Sequence, residues 1–110
     1  MSNGKPERQV AAFSIGQIVH HRLFDYRGVI YDVDPAFAGT EEWYEQHSKT
    51  RSPKDRPWYH VLVHDTVSTT YVAERNLEPD DTDEPVRHPL LDQVLERAQG
   101  GHYTSRDRAN

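Results

Sequence analysis

The sequence contains no cysteine, which excludes disulfide bonds and thiolate chemistry. It also contains no apolar run close to the roughly 18 residues of a membrane-spanning helix. The first residues, MSNGKPERQVAAF, lack the apolar segment of a secretory signal peptide. From these absences we expect a cytoplasmic protein that does not associate with membranes.

Hydrophobic and basic residues are both scarce. Hydrophobic residues make up 35% of the 110-residue chain, below the roughly 45–50% of globular domains. We therefore expect one domain with polar segments outside its core. There are 13 lysines and arginines against 18 acidic residues, a net charge of −5. Such a chain repels nucleic acid on average, so DNA binding would require a local basic patch.

Four short stretches have the β-branched and aromatic residues typical of strands, at residues 18–21, 29–33, 58–64 and 69–72. The alternation of side chains in the second stretch predicts that Val29, Tyr31 and Val33 lie on one face of a strand. The third stretch is apolar on both faces, as is typical of a central strand. The residues from Asp25 to Gly28 are predicted as a turn. The pattern favours a mainly β fold, a small SH3-like β-barrel of four to five antiparallel strands.

The segments around this barrel have distinct compositions. The connection between the second and third strands is long, and Thr40 with Glu41 and Glu42 predicts a short helix in it. After the barrel, Pro89 begins a predicted C-terminal helix with an apolar stripe that includes Leu91, Val94, Leu95 and Ala98. We predict a flexible tail at 1–12, the barrel at 13–79, an acidic linker at 80–88, the helix at 89–99 and a flexible tail at 100–110.

Side chains suited to catalysis or metal binding are present but do not form a recognisable motif. His60 and His64 would lie about 13 Å apart along a strand, too far to share an ion. Asp32 and Asp34 point to the same side of their strand, which suits acid–base chemistry or simply a polar face. We find no nucleophile motif and no phosphate-binding loop. The sequence therefore predicts no enzyme, no cofactor and no metal.

Basic residues interleave with aromatic residues in the long connection. The candidate binding residues are Trp43, Tyr44, Lys49, Arg51, Lys54 and Arg56, with Arg22 and Arg27 beside the first turn. This mixture suits phosphate contact with base stacking, a protein-binding rim, or a solvated loop beside core aromatics. The predicted terminal helix similarly packs on the barrel or a neighbouring subunit, or is a detachable recognition helix.

Three ordered segments carry a resemblance. FSIGQIVHHRLFDYRGVIYDVDP, PWYHVLV and TYVAERNLEP, within Phe13 to Pro79, resemble the YccV-like, hemimethylated-DNA-binding family, also called the HspQ heat shock family. The resemblance implies an SH3-like barrel, often a homotrimer, in a cytoplasmic, non-enzymatic stress protein. The matching positions indicate fold determinants rather than a site: Gly16, Gly28, Asp34, Pro35, Trp58, Tyr59, His60 and Tyr71. Gly28 is expected to supply a turn conformation.

The resemblance implies two activities. One is assistance to Lon protease in degrading denatured or regulatory proteins, including the replication initiator. The other is preferential binding of hemimethylated origin DNA. Because the net charge is negative, we place the protease-adaptor function first and DNA binding second. A histidine-based metal-binding protein is a distant third.

Overall fold

The computed structural model describes residues 10–48, 50–82, 84–97 and 103–105. These residues form a mainly β fold with two short α-helices. A single 3₁₀ turn, Glu74–Asn76, precedes the fifth strand. The elements in chain order are β1 (Ile18–His21), β2 (Arg27–Asp34), α1 (Glu41–His47), β3 (Trp58–Val63), β4 (Thr69–Ala73), β5 (Leu77–Pro79), α2 (Leu91–Val94), β6 (Leu95–Arg97) and β7 (Tyr103–Ser105).

The main sheet is antiparallel and has the strand order β4-β3-β2-β1-β5, and β6 pairs with β7 in a second, two-stranded sheet. All four predicted strands are confirmed, with small changes at their ends. Among the described residues, β4 and β5 are the two edges of an open sheet and do not pair with each other. Closure into an SH3-like barrel is therefore not confirmed. Neither helix in the described ranges has the length or apolarity to cross a membrane.

Apolar side chains pack on both faces of the sheet, as predicted for β3. Leu62 of β3 is fully buried in one of the two clusters, which stabilises the fold by roughly 1.5–3 kcal/mol. The first cluster contains Phe13, Val19, Ile30, Tyr59, Val61, Val72 and Leu77. The second contains Ile18, Val29, Leu62, Val86, Leu95 and Tyr103. The sheet is thus the middle layer, and the C-terminal segment covers its second face.

A β-bulge interrupts the alternation of β2. Ile30 pairs with Val61 and Asp32 pairs with His60, which leaves Tyr31 as the extra residue. Tyr31 packs with the second cluster, whereas Val33 packs with the first. The prediction that Val33 shares a face with Val29 and Tyr31 is therefore wrong, because strict alternation fails at an extra residue.

Gly28 lies inside β2 rather than in a turn. The turn comes earlier, where Asp25 has a φ of 58°. A Cβ atom on Gly28 would lie 2.5 Å from Val61 Cγ1 and 2.6 Å from the Leu62 carbonyl oxygen. The expected turn conformation at Gly28 is thus wrong. Glycine is required there because β3 approaches the backbone closely.

The C-terminal segment is mostly extended. The predicted helix at 89–99 is confirmed only over Leu91–Val94, because 89 and 90 form a turn and 95–97 form β6. Residues 98 and 99 lie outside the described ranges. In the predicted tail, 103–105 form β7, and Tyr103 is 4% exposed. The amide of Tyr103 donates to the carbonyl of Gly16, whose φ is +93°. This segment is therefore part of the fold.

The predicted tail and linker also contact the sheet. Val86 is 2% exposed and packs in the second cluster, and Asp80 lies 3.2 Å from the Arg27 side chain. At the other end of the chain, residues 1–9 lie outside the described residues, and the amide of Ala12 donates to Glu74. The described part of 80–88 is thus attached to the sheet rather than fully solvated.

The long connection contains the predicted helix. The Thr40 side chain accepts a hydrogen bond from the Trp43 amide, with Glu41 and Glu42 in the first turn. Tyr44 packs against Trp58 and Ala73 in a third cluster. The capping prediction is confirmed, and α1 lies over the start of β3 and the end of β4.

Candidate interaction surface

Two of the cations of the long connection, Arg51 and Lys54, are held by carboxylates of α1. Arg51 donates to both carboxylate oxygens of Glu45, at 2.9 and 3.4 Å, and these bonds lower the pKa of Glu45. Lys54 Nζ lies 2.6 Å from Glu41 Oε1. Lys49 lies outside the described residues. The structure therefore brings Arg51 and Lys54 together, but with their charges already compensated.

The aromatic residues between these cations are largely packed inside. Tyr44 is 4% exposed and Trp58 is 2% exposed, while Trp43 is half-buried. Tyr44 donates its hydroxyl to the Ser52 carbonyl, and Lys54 Nζ lies 4.3 Å from the Tyr44 ring centroid. The interleaved pattern is thus one packed unit, and most of its aromatic area is not available to a partner.

The two arginines predicted beside the first turn do flank the turn between β1 and β2, away from α1. Arg27 is in β2 and contacts Asp80 and the carbonyl of Glu84. Arg22 follows β1 and donates to the Leu77 carbonyl at 3.4 Å. Arg22 and Arg27 thus contact other partners than Arg51 and Lys54 do, and these four described cations are spread over separate places.

A concave groove of about 720 Å³ runs along β4, the open edge of the sheet. All five residues of β4, Thr69–Ala73, contribute to its floor. One wall comes from α1 and the neighbouring face of the sheet, with Trp43 and His60. The other wall is the turn after β1, with Leu23 and Phe24. Its described lining contains no Asp, Glu, Lys or Arg, although these make up 28% of the chain.

The groove wall formed by the turn after β1 was not predicted from the sequence. Leu23 is 53% exposed and Phe24 is 69% exposed, although both are large and apolar. Their backbone amides donate to Nδ1 of His21, at 3.1 and 3.0 Å, and the Phe24 ring stacks on the imidazole. Burial lowers the pKa of His21, which keeps the accepting nitrogen unprotonated. Two adjacent apolar residues directly before the predicted turn were the available signal.

Three of the predicted fold determinants are joined at the other wall. The Tyr71 hydroxyl donates to Asp34 Oδ2 at 2.7 Å and accepts from the Ala38 amide at 3.0 Å. His60 Nε2 lies 3.1 Å from the same Asp34 oxygen. Burial and the bond to Asp34 raise the pKa of Tyr71 to about 12, so it remains a donor at neutral pH. Pro35 follows directly, where β2 ends.

The same corner contains metal-capable ligands. Asp32, Asp34 and His60 place one ligand atom each within 4.8 Å of one another. The sequence placed Asp32 and Asp34 on one side, and the pairing of β2 with β3 adds His60. Asp34 already accepts from Tyr71, so its carboxylate has a structural role without an ion. The expectation of no metal stays a prediction.

One comparison identifies the family. A family model described as "Hemimethylated DNA-binding protein YccV like" matches residues 11–102. The match extends well beyond Pro79 and includes the segment that forms α2 and β6, in agreement with the packing of that segment on the sheet. The chain therefore belongs to the YccV-like family of hemimethylated DNA-binding proteins.

Proposed function

We propose that this protein is a non-enzymatic accessory factor that assists Lon protease in degrading denatured or regulatory proteins, including the replication initiator. The observation that carries this proposal is the aromatic groove along β4, whose described lining has no Asp, Glu, Lys or Arg. Denatured proteins expose the apolar side chains that such a groove binds. The proposal includes a cytoplasmic, stress-related role and the homotrimer implied by the resemblance.

The charges of the described surface support a protein partner over nucleic acid. Arg51, Lys54 and Arg87 each contact a carboxylate within 3 Å. To bind phosphates, these side chains would first have to leave their partners, which reduces the net gain from counterion release. The groove itself offers a phosphate no lysine or arginine.

The test is the rate at which Lon degrades a heat-denatured client in the presence of ATP, with and without this protein. We expect faster turnover with the protein. Phe24→Ser should reduce the acceleration, because Phe24 is an exposed wall of the groove. Val67→Ser is the matched control, since Val67 is 80% exposed but does not line the groove. Equal rates with and without the protein would contradict the proposal.

Hemimethylated DNA binding is the second candidate, and the family description favours it. If it is the function, the double variant R51A/K54A should weaken binding and reduce the slope of log affinity against log salt by about 2. Arg87→Ala is the control, because Arg87 is also paired with a carboxylate but lies outside the predicted basic residues. The measurement is a titration of hemimethylated and fully methylated duplexes at two salt concentrations. Identical affinities for the two duplexes would remove this candidate.

A further inference from the structure

Among the described residues, no strand pairs with the outer backbone edge of β4. The Val63 amide donates to the Ser68 carbonyl, which fixes the hydrogen-bonded pairs of the β3–β4 ladder. In the antiparallel register, Val61 with Thr70 and Tyr59 with Val72 are then also hydrogen-bonded pairs. The intervening residues, Thr69, Tyr71 and Ala73, therefore direct their N–H and C=O groups away from β3, into the groove.

The two walls of the groove lie on opposite faces of the sheet. Thr70 contacts the Tyr26 hydroxyl on the side of the turn after β1, at 2.7 Å. Tyr71 packs against Trp43 and Trp58 on the side of α1. A strand placed beside β4 would alternate its side chains between these same two sides. The groove thus offers main-chain partners along its floor and an aromatic surface on each side.

These features select one kind of occupant. Phosphates find no lysine or arginine in the described lining, and a cationic peptide finds no carboxylate there. A second copy of the chain could not pair its own β4 here, because that edge is equally recessed between two walls. If the β5 edge of a second copy occupied the groove instead, the outward amides of β4 would already be protected from hydrogen exchange in the free protein. An extended peptide has no such walls and fits between them, and five residues of strand span about 17 Å.

We propose that the edge of β4 binds an extended, uncharged segment of a partner polypeptide as an added β-strand, with apolar side chains directed to both walls. This inference rests on the proposed accessory function and specifies how the partner is held. Main-chain hydrogen bonds supply affinity for many sequences, and the two aromatic walls select apolar side chains. An exposed edge of this kind is otherwise a risk for aggregation.

The first test uses a fluorescein-labelled synthetic peptide of about seven residues that alternates valine and leucine, so that apolar side chains face both walls. Its controls are two versions of the same peptide, one N-methylated at the odd-numbered backbone nitrogens and the other at the even-numbered ones. We expect one methylated peptide to bind about tenfold more weakly than the unmodified peptide, because its methyl groups block the amides that face β4. The other methylated peptide should bind as tightly as the unmodified one, because its methylated amides face away from β4. Equal affinity of all three peptides would overturn the added strand.

The second test changes the protein backbone. Thr69→Pro removes an outward N–H at the first residue of β4, a position where a strand tolerates proline. Thr69→Val keeps that N–H and is the matched control. We expect weaker peptide binding by Thr69→Pro alone, with unchanged unfolding midpoints for both variants. If Thr69→Pro is less stable than the wild type, amide hydrogen exchange of the unmodified protein tests whether the peptide pairs with β4.

Hydrogen exchange reads the alternation directly. Amides of Thr70 and Val72 should be protected in the free protein, whereas those of Thr69, Tyr71 and Ala73 should become protected only with peptide. Uniform protection, or protection outside β4 alone, would overturn the inference. Peptide binding without any effect on Lon turnover would contradict the proposed function and leave the added strand supported. Accelerated turnover without peptide binding at β4 would contradict the added strand alone.

Discussion

At the scale of single residues, two adjacent histidines of β1 have opposite pKa shifts. Hydrogen bonds to Asp25 and Glu78, both 2.7 Å long, raise the pKa of His20 above its ordinary 6.5. Burial lowers the pKa of His21 below the same value. Their side chains lie on opposite faces of β1, so one is partly solvated and ion-paired while the other is enclosed.

These shifts predict opposite effects on stability between pH 5 and 8. His20 stabilises the fold below about pH 6.5 and loses that contribution as pH rises through its raised pKa. His21 stabilises the fold above about pH 6.5, and this stabilisation is lost as the pH falls through its lowered pKa. We therefore expect H20N to lose more stability toward acid than the wild type, and H21N to lose less. Urea unfolding across this pH range measures both, and parallel curves for the two variants would contradict the assignment.

Gly28 gives a second prediction at this scale. Gly28→Ala should destabilise the protein by about 1–3 kcal/mol, because the new Cβ would meet Val61 Cγ1 and the Leu62 carbonyl. In a double-mutant cycle, Val61→Ala should recover part of the loss, since it removes the first of these contacts. Denaturant unfolding of the four proteins gives the coupling. If the free-energy changes of the two substitutions simply add, or if Gly28→Ala is as stable as the wild type, β3 does not approach Gly28 this closely.

At the scale of elements, α1 depends on its N-terminal cap. Thr40→Ala should destabilise the protein by about 1 kcal/mol, because the Trp43 amide loses its acceptor at 3.0 Å. Thr40→Ser is the control, since serine provides an equivalent oxygen. Thermal unfolding compares the three proteins. A Thr40→Ser variant as unstable as Thr40→Ala would mean that the methyl group of Thr40, not the cap, is what matters.

At the scale of the whole molecule, the C-terminal segment completes the second face of the sheet. Leu95 is 1% exposed and packs in the same cluster as Val29 and Leu62, whereas Leu91 is only partly buried. The segment also contributes β6 and β7 as a second sheet. It is therefore a structural part of the described fold, and the predicted detachable helix does not describe residues 95–97.

Leu95→Ala should destabilise the protein by about 2–5 kcal/mol, as for other fully buried leucines. Leu91→Ala should cost clearly less, because Leu91 is a partly exposed residue of the same segment. Denaturant midpoints of the two variants make the comparison. Equal and small losses would indicate that the segment detaches from the sheet.

Much of the fold followed from local patterns. The strands at 18–21, 29–33, 58–64 and 69–72 were predictable because β-branched and aromatic residues favour an extended backbone. The cap at Thr40 was predictable because it involves only neighbouring residues. The apolar stripe of the predicted terminal helix was misleading. A short helix followed by a strand brings Leu91, Val94 and Leu95 to the second cluster. A periodic apolar pattern does not distinguish this arrangement from one continuous helix.

The sequence by itself determined the strands, the helix cap and the family, because each depends on residue types at fixed short spacings. Only the tertiary structure decided which charges are compensated, since Glu41 lies 13 positions from Lys54 and Asp65 lies 22 from Arg87. It likewise decided that Leu23 and Phe24 face the open edge of β4 across a groove. Those contacts join residues distant in the chain, and they form only when the sheet brings the elements together.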